Sequence, residues 1–377
     1  MESIHILGLG NMGKYLAYGL RRCQQASTSF LPPTLLFHRP GLLDDWEGAN
    51  RSIRYTDKTR PGSPATEGPR AEGFRVELVE PIATQGQIEN HSEVVVGSIT
   101  PIKYLVVATK AYAVATALAP LKHRLDRNSH ILFLHNGMGE FVHFTTFFQC
   151  DSILTRAPGV RREVSESIFP DPKTRPAYWA GVCSAGVYSE GPFSIVHAGR
   201  GPLVFGALED QTTTRAPPDG GSMAAQLSGV GMLETQLVSS QKIIQAQLTK
   251  LVANAIINPL TALFNCRNGE ILRIDAAREM IDPLVREAGA IIRALPSFQD
   301  EAEIRASFAD DKLRSFVDRV ATATAGNTSS MLQDVRAGRR TEIDYINAYL
   351  VRKGEELGKP HEHHESVVRR IKQLEPR

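Results

Sequence analysis

The spacing of hydrophobic and polar positions changes near residue 240. Before that point, short apolar runs alternate with polar or amphipathic segments, as do strands and helices that alternate around a parallel sheet. After it, apolar residues recur at helical spacing and strand-like runs are absent from the sequence. The pattern predicts an α/β chain, with a doubly wound domain over residues 1–239 and an all-helical domain over residues 240–377.

The same pattern predicts individual elements. The predicted strands cover residues 4–7, 35–40, 76–80, 94–100, 103–109 and 131–134, followed by antiparallel strands at 178–188, 193–196 and 202–205. The predicted helices cover residues 14–22, 223–232, 242–264, 275–294, 311–322 and 342–357. Two segments rich in charged residues, Gly and Pro, at about 45–74 and 156–176, are predicted to be surface insertions or loops. Residues 210–222 are predicted to form a linker-like loop.

The first strand leads directly into a glycine-rich turn with the sequence Gly8-Leu9-Gly10-Asn11-Met12-Gly13. In such a turn the first glycine permits the tight bend, the second lets a pyrophosphate approach the backbone, and the third lets the helix pack on the strand. The N-terminus of the following helix offers free N–H groups and a positive dipole end to phosphates. This context favours dinucleotide binding over the alternative, a strand–turn–helix without a ligand.

The end of the second strand bears on the choice of dinucleotide. It lacks the acidic residue that binds a ribose 2′-hydroxyl, and Arg39 stands there instead. Because a guanidinium group suits a 2′-phosphate, we expect NADP(H) rather than NAD(H). The alternative is a surface arginine that precedes a turn.

Composition narrows the class of protein. The chain has 43 basic and 41 acidic residues, so it lacks the charge excess typical of proteins that bind nucleic acid or membrane surfaces. Its four cysteines form no CxxC pair and are expected to be free thiols. The sequence has no apolar run of about 18 residues, and its first predicted strand leaves no room for a cleavable signal. We expect a cytoplasmic protein, with mitochondrial import as the alternative.

One predicted helix carries a polar stripe. Lys250, Asn254 and Asn258 are spaced four apart among Leu, Val, Ala and Ile, so they share one face of a mostly buried helix. Buried polar groups need partners, which are either neighbouring loops or a ligand. Pro259 removes a helical N–H, so we expect the helix to bend or break there.

Three features downstream have structural explanations. Ser329 is predicted to cap a helix. Thr341 is predicted to cap the last predicted helix, in a capping box with Asp344. Capping does not account for Glu342. The run from His361 to Glu365 does not fit the HExxH pattern of zinc proteases. A solvated helix face is therefore favoured over a metal site, and no metal is expected.

Taken in order, these motifs resemble the ketopantoate reductase (2-dehydropantoate 2-reductase) family over nearly the whole chain. The resemblance rests on Gly8-x-Gly10-x-x-Gly13, His135-Asn136-Gly137-Met138-Gly139, Lys250-x-x-x-Asn254-x-x-x-Asn258-Pro259-Leu260-Thr261-Ala262, Ser329-Ser330-Met331-Leu332-Gln333-Asp334 and Glu342-Ile343-Asp344-Tyr345-Ile346-Asn347. It implies an NADPH-dependent oxidoreductase that acts on a small 2-oxo acid, as a monomer or homodimer.

The resemblance also implies roles for single residues. Lys250 matches the general acid, and Glu342 the carboxylate where cofactor and substrate meet. Amide contacts with the substrate match Asn254, Asn258 and Asn268, and the segment that receives the substrate's carboxylate matches Asn327, Ser329 and Ser330. Lys110 and Asn136 match residues near the nicotinamide and ribose.

Two alternatives to ketopantoate reduction remain from the sequence. Members of the family act on other substrates, so reduction of another 2-oxo acid or carbonyl compound is one alternative. The other is an NADPH-sensing binding protein without activity. The intact Lys250 and Glu342 argue against that second alternative, because a sensor needs no proton donor. The insertions leave every motif intact but leave open the shape of the substrate site.

Overall fold

The structure is a computed structural model. It describes residues 2–26, 31–39, 41–60, 62–79, 94–135, 160–208, 221–298 and 301–376. These residues form two compact units. The first contains residues up to His135 and Val164–Ile243, and the second contains the described part of Asn136–Glu163 and the residues from Ile244 onward. The domain boundary predicted at residues 239 and 240 stays a prediction. None of the described helices has the length and apolar composition needed to cross a membrane.

All described strands belong to the first unit. They are β1 (Ile4–Leu7), β2 (Thr34–Phe37), β3 (Ser52–Asp57), β4 (Thr66–Glu67), β5 (Ala71–Glu72), β6 (Arg75–Leu78), β7 (Val94–Val96), β8 (Tyr104–Val107), β9 (His130–Phe133), β10 (Ala177–Cys183), β11 (Gly186–Gly191), β12 (Ser194–Gly199), β13 (Leu203–Ala207) and β14 (Gln236–Leu237).

The described α-helices occur in both units. They are α1 (Asn11–Ala26), α2 (Gly41–Gly48), α3 (Val114–Leu118), α4 (Val160–Ser167), α5 (Gly221–Ser228), α6 (Ser240–Leu263), α7 (Asp275–Arg293), α8 (Ala302–Ser307), α9 (Asp310–Ala323), α10 (Ser330–Arg336), α11 (Asn347–Leu357) and α12 (Glu362–Lys372). Short 3-10 helices follow or join them at Ala111–Ala113, Ala119–Arg124, Gly231–Leu233, Asn268–Leu272, Pro296–Phe298 and Ile343–Tyr345.

A nine-stranded, mostly parallel sheet forms the centre of the first unit, in the order β14-β13-β10-β9-β8-β1-β2-β6-β7. Every residue of β2, β8 and β9 is buried, as expected for parallel strands covered on both faces. The chain runs outward from β1 to β2 and later returns to β8 on the other side of β1. This is a topological switch point, and the predicted doubly wound fold is confirmed.

The segment 45–74 is not the surface loop that its composition predicted. Strand β3 lies inside it and pairs in parallel with β12 in a second sheet of order β11-β12-β3-β4. Trp46 and Ile53 are both buried, and the Trp46 ring packs against Phe193 with centroids 4.7 Å apart. Burial of these side chains outweighs the loop-like composition around them.

Two further predictions in the first unit need correction. The run 178–188 is not one strand: β10 pairs with β9 and β13 in the large sheet, whereas β11 pairs with β12 in the second sheet. The segment predicted as a loop at 156–176 contains α4. Val164 within this helix and Ile168 and Phe169 directly after it are buried. The predicted loop at 210–222 lies almost wholly outside the described residues.

In the second unit, α6 continues through Pro259. Of the predicted bend or break, the break is therefore wrong and the bend stays a prediction. Proline removes the N–H that would bond the Ala255 carbonyl. That carbonyl instead accepts a hydrogen bond of 2.8 Å from the Asn347 side chain, which also contacts Nδ1 of buried His364. A distant side chain therefore satisfies the group that a helix break would have exposed.

The two capping predictions have different outcomes. Ser329 caps α10, since its hydroxyl accepts from the Leu332 N–H at 3.1 Å, and this prediction is confirmed. The capping box at Thr341 is wrong, because its N–H donates to Glu375 and not to Asp344. The predicted helix 342–357 is likewise divided into a 3-10 turn and α11.

Candidate active site

The glycine turn after β1 has the geometry of a phosphate-binding loop. Gly8 has a φ of +98°, and a Cβ there would lie 2.5 Å from the Thr109 nitrogen. A Cβ on Gly13 would lie 1.9 Å from the Gly8 carbonyl oxygen, whereas one on Gly10 meets no described atom within 4 Å. The chain's own packing therefore requires Gly8 and Gly13, while the Gly10 backbone faces open space that suits a phosphate.

A second observation in the same place fits a dinucleotide. The Thr109 hydroxyl oxygen is buried and has no hydrogen-bond partner among the described residues. Thr109 follows β8, and Leu7 at the end of β1 pairs with Val107 at the end of β8. The hydroxyl therefore lies at the switch point, beside the glycine turn, where α/β folds bind their ligands.

The remaining candidates of the first unit lie at the same edge of the sheet. Leu7 also pairs with Leu36 of β2, so the carboxyl ends of β1, β2 and β8 are neighbours. Arg39 follows β2 and is exposed, with its carbonyl accepting from Leu42 where α2 begins. Lys110 follows β8 and its carbonyl accepts from Ala113 at 2.9 Å. Asn136 lies outside the described residues.

The rest of the turn is held by its own contacts. Leu9 is 9% exposed, and the Asn11 side chain donates to the Val187 carbonyl of β11 at 3.3 Å. Met12 is half-buried in the first turn of α1. These contacts fix the start of α1, whose first N–H groups have no partner within the helix.

The sequence analysis did not name Lys14 as a candidate residue for the cofactor site. It is buried in the first turn of α1, and its ammonium donates to the Ser189 hydroxyl of β11 at 2.9 Å. Burial lowers its pKa, and the carboxylate of Asp45 opposes that effect. The available signal was a lysine directly after Gly13, where a positive charge favours an anionic ligand.

The second unit carries the polar stripe predicted on α6. Lys250 and Asn254 are half-buried and Asn258 is 7% exposed, while the flanking Leu251 and Ile256 are buried. The stripe is therefore confirmed as a geometric feature. The catalytic and binding roles of its members stay predictions.

Asn268 presents a buried oxygen of fixed orientation. Its Nδ2 donates to the Thr324 hydroxyl at 2.9 Å, and that hydroxyl donates onward to the Val320 carbonyl. This arrangement points the Asn268 Oδ1 away from Thr324, and that oxygen is buried without a hydrogen-bond partner among the described residues. The backbone N–H of Asn268 donates to the carbonyl of exposed Asn327, so these two candidates are neighbours.

Other candidates from the same motifs are joined by hydroxyl groups. The Thr261 hydroxyl contacts the Ser329 hydroxyl at 2.6 Å and also donates to the Asn258 carbonyl. Ser329 is 5% exposed and is committed to these internal contacts, so it holds α10 against α6. Ser330, the first residue of α10, is half-buried and more accessible.

Glu342 is deeply buried, with 3% of its surface exposed. It directly precedes the 3-10 turn Ile343–Tyr345, which leads into α11. Among the described residues, no group of three or more His, Cys, Asp or Glu side chains has the arrangement of a metal site. His363 and His364 instead bond Glu287 through their backbone N–H groups.

Comparison with known proteins identifies the family. The family model described as ketopantoate reductase PanE/ApbA matches residues 4–210, and the one described as its C-terminal part matches residues 242–375. The chain belongs to the ketopantoate reductase family. Its members include oxidoreductases with more than one named substrate, as two relatives show.

The 2-dehydropantoate 2-reductase of Saccharomyces cerevisiae is 29% identical over 94% of this chain and 89% of its own length. The ketoisovalerate reductase of Beauveria bassiana is 28% identical over 95% of this chain and 79% of its own length. A solved D-mandelate dehydrogenase with NADH and anilino(oxo)acetate covers 99% of this chain and 97% of its own, with a TM-score of 0.68 and 17% identity. That last likeness supports the fold.

Proposed function

We propose that the protein catalyses the NADPH-dependent reduction of 2-dehydropantoate (ketopantoate) to pantoate. Membership of the ketopantoate reductase family supports this reaction class. The observation that carries the choice of substrate is the Oδ1 of Asn268, which is buried without a hydrogen-bond partner among the described residues. Ketopantoate has a terminal hydroxyl that supplies the missing donor, and ketoisovalerate lacks it.

The cofactor proposal rests on the glycine turn and its surroundings. The open backbone at Gly10 fits a dinucleotide, as does the Thr109 hydroxyl, which has no hydrogen-bond partner within the described part of the chain. Exposed Arg39, between β2 and α2, suits a 2′-phosphate. Bound NADPH supplies the hydride to the substrate carbonyl. Lys110, Asn136 and Glu342 are proposed to contact the cofactor as well. The whole glycine turn, Gly8, Leu9, Gly10, Asn11, Met12 and Gly13, belongs to the same proposed set.

Lys250 is proposed to donate the proton. When a carbonyl is reduced, negative charge develops on its oxygen, and a nearby ammonium both stabilises that charge and protonates the oxygen. Lys250 lies on α6 beside Asn254 and Asn258, whose neutral amides orient a substrate without competing for the lysine. Glu342 is proposed to lie where cofactor and substrate meet.

The substrate's carboxylate is proposed to contact Asn327 and Ser330. Both are more accessible than Ser329, whose hydroxyl is engaged by Thr261 and Leu332. Neutral donors hold an anion through hydrogen bonds and leave Lys250 as the proton source. Such positioning lowers the activation barrier of the reduction, because the reacting groups are already held in the required geometry.

A direct test is to follow NADPH oxidation with ketopantoate and ketoisovalerate in parallel. We expect kcat/KM to be about 10- to 100-fold higher for ketopantoate, because the analogue leaves Asn268 without its donor. Asn268→Ala should narrow this ratio, while Asn265→Ala, at an exposed turn nearby, serves as the control. A preference for ketoisovalerate in the unmodified enzyme would favour the second candidate, a ketoisovalerate reductase like the Beauveria relative.

A further inference from the structure

The segment that carries Glu342 is fixed from outside by the C-terminal end of the chain. The Glu375 carboxylate oxygen Oε1 accepts from the Thr341 N–H at 2.9 Å and from the Thr341 hydroxyl at 2.6 Å. That hydroxyl in turn accepts from the Ile343 N–H at 3.3 Å. The backbone on both sides of Glu342 is therefore linked to a single carboxylate.

Glu375 is itself held in place by charge. Its second oxygen accepts from the Lys372 ammonium at 3.0 Å, and the same ammonium bonds the Asp344 carboxylate at 2.6 Å. Arg340 also bonds Asp344, at 3.0 Å. Burial alone would raise the pKa of Glu375, but hydrogen bonds from Thr341 and the Lys372 charge outweigh it and lower the pKa.

The other end of the segment is fixed to the helix that carries the polar stripe. Asn347 donates to the Ala255 carbonyl, one residue after Asn254 on α6. The chain from Thr341 to Asn347 is thus tied at one end to Glu375 and at the other to α6. Glu342, buried between these ties, has little freedom to change its position.

We propose that Glu375, oriented by Lys372, is a positioning residue that sets the place of Glu342 through the Thr341 backbone and hydroxyl. The proposal rests on the function proposed above for Glu342. The Glu375 carboxylate bonds Thr341 and Lys372, so we expect its effect on turnover to pass through the segment that it holds. Other substitutions near Glu375 should affect the reaction only if they break the hydrogen bonds between Glu375 and Thr341.

The variants Glu375→Ala and Glu375→Gln test the proposal together with Thr341→Val. We expect Glu375→Ala to lower kcat by about 10- to 100-fold, the scale for misplacing a group in the site. Glu375→Gln keeps an acceptor oxygen and should recover most of that loss. Thr341→Val removes only the hydroxyl link and should show an intermediate effect. NADPH affinity should change less than kcat, since the glycine turn proposed to bind the phosphates lies in the other unit.

The matched control is Asp318→Asn, which removes a carboxylate that pairs with Arg314 in the same unit. It should leave kcat unchanged. Amide hydrogen exchange over residues 341–346 supplies a readout that does not depend on activity. Exchange there should rise in Glu375→Ala and stay unchanged in Asp318→Asn.

A fall in kcat with faster exchange and a recovery in Glu375→Gln would support the proposal. Faster exchange with unchanged kcat, or no change in either quantity, would overturn it. Lack of turnover by the unmodified enzyme with every 2-oxo acid would overturn the proposed function and this role with it. The exchange data would still report separately whether Glu375 orders the segment.

Discussion

At the scale of single residues, the three glycines of the turn differ in what they tolerate. We predict that Gly13→Ala strongly destabilises the first unit, because the added methyl would meet the Gly8 carbonyl oxygen at 1.9 Å. Gly10→Ala has room in the protein and should leave the melting temperature nearly unchanged while weakening NADPH binding. Thermal unfolding and cofactor titration of both variants check this. Equal stability losses would refute the distinction.

Arg39 is the residue expected to distinguish the two nicotinamide cofactors. Arg39→Ala should weaken NADPH binding by about 1–3 kcal/mol, the range for a charged hydrogen bond, and should barely affect NADH. Because Arg39 is exposed at the start of α2, the variant should fold normally. Fluorescence titration with both cofactors measures the effect. Parallel losses for NADPH and NADH would show that Arg39 does not contact the 2′-phosphate.

At the scale of elements, α6 depends on a side chain from α11. Asn347→Ala should lower the free energy of unfolding by about 1–3 kcal/mol, because the buried Ala255 carbonyl loses the side-chain donor that replaces the N–H that Pro259 lacks. Denaturant unfolding measures this loss. The double variant Asn347→Ala, Pro259→Ala should recover part of the stability, since alanine restores the helical N–H. Failure to recover any would argue against this explanation.

A buried ion pair connects β6 to the 3-10 helix after α3. The Glu77 carboxylate bonds Arg124 at 2.8 Å, with the two side chains 13% and 3% exposed. Burial raises the pKa of Glu77, but the nearby His5 ring, 3.8 Å away, and the hydrogen bond and charge of Arg124 outweigh it, so the pKa lies below its ordinary value of 4.5.

A carboxyl with a lowered pKa stabilises the fold above its unfolded pKa, and this contribution disappears as pH falls through the folded value. Glu77→Gln should therefore be less stable than the unmodified protein at pH 7. The gap between the two should shrink below pH of about 4.5. Urea unfolding across this range tests the sign, and a gap that widens in acid would contradict it.

For the molecule as a whole, sequence patterns predicted those elements that form through interactions between residues close in sequence. The apolar runs at β1, β2, β8 and β9 and the glycine turn were predictable because buried parallel strands and tight turns leave strong local signals. Strand β3 was not, because its partner β12 is remote in sequence and the surrounding residues resemble a loop. The break predicted at Pro259 failed for a similar reason, since the Asn347 side chain that rescues Ala255 lies 92 residues away.

In the candidate site as well, some features were predictable from sequence and others were not. Motifs identified Lys250, the asparagines and Glu342, because their residue types and order are visible in sequence. The contacts that orient them are not local: Thr324 holds Asn268, Thr261 holds Ser329, and Glu375 holds Thr341. A sequence names such residues but does not reveal which hydroxyl or carboxylate fixes each one.

The central claim is that Lys250 supplies the proton for reduction of ketopantoate by NADPH. The most direct measurement is the kcat of Lys250→Ala beside its NADPH affinity. We predict a fall in kcat of about 100-fold or more, the usual scale for loss of a positioned acid, with NADPH affinity little changed. A folded variant that binds NADPH and reduces ketopantoate at nearly the unmodified rate would contradict the account.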